Sequence, residues 1–176
     1  MSVVEKRLEC AGLSLFGGNG ALKPGSGNCK FKIYDDLLFI AGLEPTGEDG
    51  KPAFVVCHQS LKNTHGLPDT WNSPSETAGT VGAQSDDLKE IMNKYENVIM
   101  ISGHLHTGIG QYTYEKIDNF HSVNLPSTAI VNKDGTYNNA GIGFMIEAYD
   151  NHVLFRARDF AQGKYIPEYD IDIALS

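Results

Sequence analysis

The chain reads as an α/β (α+β) fold of mixed β-sheets flanked by helices, and three observations carry that reading. Short runs of β-branched and aromatic residues recur, among them "FKIY", "LLFIAGL", "AFVVC" and "VIMIS". One amphipathic segment, "SDDLKEIMNKYEN", separates the last two. The C-terminal third is strand after strand, divided by turn residues.

The elements follow in order. Residues 1–30 include "LFGGNGALKPGSGN", with five glycines, a proline and two asparagines. This composition resists regular structure and predicts a Gly-rich, loosely ordered N-terminal segment. It lacks the spacing and the following helix of a phosphate loop. The folded domain is expected over residues 31–176. "FKIY" and "LLFIAGL" form a hairpin around Asp35-Asp36, and "AFVVC" is a strand buried on both faces that ends at His58. Residues 59–84 are polar, with two prolines and three glycines and no periodicity. A connection that long inside a compact domain points to a loop bordering a site.

A helix is predicted from Ser85, which can cap it, with Asp86 and Asp87 in its first turn and Leu88, Ile91, Met92 and Tyr95 on one face. It leads into "VIMIS", so a shared sheet would make this strand and "AFVVC" parallel. "YTYEKI", "FHSVNLP", "GIGFMIEAY" and "HVLFRARDF" complete the strands, the last two as a hairpin through Asp150-Asn151. Alternation sets Val153, Phe155, Ala157 and Asp159 on one face.

Bulk properties narrow the function. A formal net charge of −8, spread along 176 residues, argues against binding a nucleic-acid backbone. Cys10, Cys29 and Cys57 are an odd number without C-x-x-C spacing, so no disulfide framework is expected. No apolar run has the length of a membrane span, and the N-terminus does not read as a signal peptide. A complete chain would therefore be cytoplasmic, and a longer precursor would reopen the question.

Two buried-type strands each run into histidine, at "AFVVC-His58" and at "VIMISG-His104-Leu-His106". Residues just past the carboxyl ends of neighbouring parallel strands converge on one crevice, which puts His58, His104 and His106 at one sheet edge. Gly103 and Gly108 would allow a sharp exit and close approach to an ion. Neutral imidazoles suit a divalent transition metal such as Zn, Mn or Fe, and three of them leave a coordination position for water. In the long loop, His65 is a candidate substrate contact and Trp71 a candidate stacking surface for a base or sugar. His121 and His152 read as structural or exposed.

With these residues in place, the chain resembles the calcineurin-like metallophosphoesterases. "GHLH" at 103–106 looks like that family's terminal G-H-x-H motif, and "PAFVVCHQSLKNT" at 52–64 like its preceding strand-plus-histidine motif. The resemblance covers residues 31–160 and corresponds to the second half of the family's αββα sandwich. It implies hydrolysis of phosphate mono- or diesters by metal-bound hydroxide, with His58 and His104 on one metal of a pair and His106 on the other. The family's first-half motifs, D-x-H, G-D-x-x-D and G-N-H-[DE], are absent from residues 1–57, where "GGNG" at 17–20 is the nearest approach. Carboxylates hold two cations close by offsetting their repulsion, so at most one metal is expected in this chain.

The expectation is therefore a metal-dependent phosphoesterase-type hydrolase seen as a C-terminal fragment, its site completed by missing N-terminal residues or another subunit. A catalytically inactive binding or scaffold domain and a mononuclear three-His zinc hydrolase are the alternatives. A phosphate ester is the implied substrate, and exposed sheet surface would favour self-association.

Overall fold

A computed structural model describes residues 4–10, 24–34, 37–41, 50–71, 73–128 and 141–176, the first three stretches by their strand pairing. The described residues form two sheets and few helices, an α+β arrangement. The larger sheet contains β1 (Val4–Cys10), β2 (Pro24–Tyr34), β3 (Leu37–Ala41), β4 (Ala53–Cys57), β5 (Val98–Ser102), β6 (Tyr114–Ile117) and β7 (Phe120–Asn124). Its spatial order is β1-β2-β3-β4-β5-β7-β6. The smaller sheet contains β8 (Ile142–Ala148), β9 (His152–Asp159), β10 (Lys164–Tyr165) and β11 (Ile171–Ala174). There β8 pairs with one edge of β9, while β10 and β11 share the other.

β4, β5 and β7 run parallel. β4 reaches β5 through the long loop and α1 (Ser85–Met92), the helical crossover that parallel pairing requires. The β2–β3 hairpin forms as its alternation predicts, with Tyr34 opposite Leu37. Residues Asp35 and Asp36 of its turn, and "GGNG", lie outside the described residues. The N-terminal segment requires a correction, because Val4–Cys10 and Pro24–Tyr34 pair as antiparallel strands of the larger sheet. Pro24 opens its strand, one of the strand positions where a missing N–H is tolerated, and Gly25 to Gly27 fall at the break of register between Glu9 and Cys10.

The faces of β5 show why "VIMIS" is apolar throughout. Val98 and Met100 pack with Val55, Cys57, Leu61, Phe120 and Met92 on the helix side. Ile99 and Ile101 pack on the other side with Val123, Val153, Phe155 and Ile173 of the smaller sheet and its neighbours. Both faces are covered, so no alternation can appear. In β9 it does appear: Val153, Phe155, Ala157 and Asp159 are buried and the intervening residues less so, as the sequence pattern predicts. On the outer face Arg156 lies 4.0 Å from the Tyr165 ring centre and pairs with Glu147 at 3.1 Å.

The helix is shorter than its periodicity predicts. It stops at Met92, leaving Ile91 and Tyr95 exposed, while Met92 is buried and Leu88 packs against the core. Ser85 is the first helical residue and not its cap; its buried hydroxyl accepts from the Lys62 backbone N–H at 3.0 Å, tying the loop to the helix. No helix among the described residues is long and apolar enough to cross a membrane.

Candidate functional site

Because β4, β5 and β7 are parallel, their carboxyl ends share one edge of the sheet, where Cys57 precedes His58, Ser102 precedes Gly103-His104, and Asn124 ends its strand. The His58 carbonyl accepts from both Gly103 N–H at 3.1 Å and His104 N–H at 2.9 Å. One carbonyl thus draws the two strand exits together. The ring nitrogens meet as a result, His104 Nδ1 standing 2.9 Å from His58 Nε2.

At this distance one ring nitrogen donates its N–H and the other accepts it. His104 is held below the usual histidine range by partial burial first, then by the charges of His58 and His106. Neutral rings are what a metal takes. Two nitrogens bound to one ion at roughly 2.1 Å stand about 3.0–3.4 Å apart, for right-angle to tetrahedral geometry. The observed pair is a few tenths of an ångström tighter, so an ion fits in place of the hydrogen-bonded proton after a small opening of the rings.

His106 follows with a left-handed backbone, φ 54°, between buried Leu105 and Thr107. The turn itself falls at His104-Leu105, and at Gly103 an added Cβ would meet nothing closer than Leu125 Cβ at 3.8 Å. Histidine is among the few side chains that enter this region with some frequency. Among the described residues no three His, Cys, Asp or Glu side chains gather into a group that could hold a metal. The structure therefore pairs His58 with His104 and leaves His106 adjacent to the pair, not joined to it.

The loop candidates fall differently. Trp71 closes a 3-10 turn, Asp69–Trp71, and stacks on His104 with ring centres 4.5 Å apart and planes 27° apart. His65 is fully buried, its Nδ1 2.8 Å from the Tyr112 carbonyl and its Nε2 2.8 Å from Ser122 Oγ. With both nitrogens engaged inside the fold it is a packing residue, which corrects its reading as a substrate contact. His121 meets the Tyr114 hydroxyl at 2.9 Å and His152 stacks on Tyr149 at 4.4 Å, so both are structural.

Burial pushes the His65 imidazole down to about 4, against a smaller upward pull from the Tyr112 carbonyl. Its folded form stays neutral while the unfolded chain takes up a proton near the ordinary value of about 6.5. Its contribution to stability is thus complete above that pH and shrinks as pH falls toward 4. The loss should approach about 3 kcal/mol, taking ~1.4 kcal/mol per pH unit. Urea melts at pH 7 and pH 4.5 should show it, and His65→Gln should flatten the dependence.

Several site neighbours carry no sequence signal of their own. Ser60 and Ser102 pair through their hydroxyls at 2.7 Å beneath the histidines, and Ser60 also bridges to Thr80. Asn124 donates from Nδ2 to Thr107 Oγ1 at 2.9 Å, and its Oδ1 is buried without a partner among the described residues. These contacts join residues 17 to 42 positions apart, which no local pattern can reveal. No family model, curated protein or solved structure matches the chain.

Proposed function

We propose that the chain is the imidazole-bearing half of a metallophosphoesterase-type hydrolase, binding one divalent transition metal, Zn, Mn or Fe, through His58 and His104. The observation that carries this reading is the 2.9 Å approach of the two rings at the carboxyl ends of adjacent parallel strands. A bound cation would supply Lewis acidity and an acidified water for attack on a phosphate ester. The chain's own residues hold two neutral donors face to face, with the His58 carbonyl and the Ser60–Ser102 pair fixing the strand exits. His106, adjacent in the turn, is the donor that a second ion or the substrate's charge would meet. On this reading the two sheets and the helix would stand for the second half of the αββα sandwich, and the carboxylates of a dinuclear centre would have to be supplied from outside these residues.

One observation favours the second reading, a catalytically inactive binding domain. The hydrogen bond between His58 and His104 already satisfies a nitrogen of each ring without any ion. Aryl-phosphate hydrolysis with added Mn²⁺ separates the two readings. The phosphoesterase reading expects weak turnover that His104→Ala abolishes; equal rates for the variant and the wild type would remove the metal site from any activity.

A further inference from the structure

Trp71 is the chain's single tryptophan, and it reaches His104 from the middle of a loop whose ends are tied down. At one end Val81 N–H donates to the Ser60 carbonyl at 3.0 Å. At the other, Lys89 Nζ donates to the Lys62 carbonyl at 2.6 Å. Between them the Asp69–Trp71 turn is closed by the Trp71 N–H on the Pro68 carbonyl at 3.0 Å.

Gly79 settles what the indole does. A Cβ there would stand 2.9 Å from Cδ2 and 3.1 Å from both Cε3 and Cγ of Trp71. An approach within the ring plane would meet Cε3 or the side chain's own Cβ before Cδ2, so Gly79 lies over a face of the indole. The His104 imidazole is stacked on the same indole, with ring centres 4.5 Å apart. Trp71 thus touches Gly79 and His104 together while the residue stays partly exposed, so its ring is held against the candidate ligand. Gly79 is also at φ 73°, where a side chain is strained even apart from the contact.

We infer that Trp71 is a positioning residue: packed against Gly79, it stacks on the His104 ring and keeps Nδ1 turned toward His58. This rests on the metal-site reading above. An imidazole has two rotatable bonds, and a half-exposed one at a strand exit would otherwise sample several orientations. Fixing the orientation of a ligand is the work that residues behind metal ligands perform, and removing them costs roughly 10–100-fold in metal affinity.

The test is Zn²⁺ affinity, by competition with a chromophoric chelator, for the wild type, Trp71→Leu, Trp71→Phe, Gly79→Ala and the Trp71→Leu/Gly79→Ala double variant. Trp71→Leu is expected to bind about tenfold more weakly, and Trp71→Phe, which keeps a ring, to recover most of the loss. Gly79→Ala should weaken binding by displacing the indole, and should add nothing once Trp71 is leucine. Imidazole ¹⁵N spectra without metal provide a second readout, with one fixed His104 tautomer in the wild type and averaging in Trp71→Leu. Unchanged affinity and an unchanged His104 spectrum in a folded Trp71→Leu, or fully additive losses in the double variant, would overturn the inference. If the wild type binds no Zn²⁺, the metal reading fails, and the spectra still decide whether Trp71 orients His104.

Discussion

Replacing His104 with alanine should weaken Zn²⁺ binding by roughly a hundredfold or more, above the upper end of what losing a supporting residue costs. The reason is geometric. His104 supplies one of the two nitrogens that meet at 2.9 Å, and no other His, Cys, Asp or Glu among the described residues completes a group in its place. His152→Ala, on the smaller sheet and stacked on Tyr149, should bind as the wild type does. Calorimetric titration of both variants checks the pair together. Equal losses in the two would mean that binding is nonspecific chelation by scattered imidazoles.

Phe155→Ala should destabilise the fold by about 3–5 kcal/mol, in the range for truncating a buried aromatic. Phe155 is fully buried between the sheets, edge-on to Phe144 with ring centres 6.0 Å apart, and clustered with Ile99, Ile101 and Val123. Three neighbours of the cavity belong to β5 and β7, whose ends carry His104 and Asn124, so the site should loosen with the core. Leu154→Ala, on the outer face of the same strand, should cost far less. Urea titration of both variants measures the difference; a Phe155→Ala loss near 1 kcal/mol would deny that the two sheets share one tightly packed core.

The parts of this fold that obey a local period were readable from the residues. β9 shows its two faces because one is buried and the other is not, and the order of "AFVVC", helix and "VIMIS" dictates the parallel pair that joins His58 to His104. Long-range pairing was not readable. Pro24 and the run from Asn28 to Ile33 pair with β1, with Gly25 to Gly27 in a break of register between them, and Val4 to Cys10 gives no hint of that partner. The same holds within the site. His65 resembles a solvated loop residue until Tyr112 and Ser122 are seen at its two nitrogens, and nothing near Trp71 in the sequence shows that its indole stacks on His104. Gly103 reads as the residue that frees the strand exit, yet a side chain would fit there, and the left-handed backbone falls instead at His106.

The pairing of His58 and His104 as a metal site is the central claim, and metal stoichiometry tests it most directly. The chain is equilibrated with Zn²⁺, dialysed exhaustively, and its metal content compared with its protein concentration. The predicted result is about one ion per wild-type chain and none in His104→Ala, from one converged pair of imidazoles. A wild-type chain that retains no metal, or a His104→Ala chain that retains as much, would contradict it.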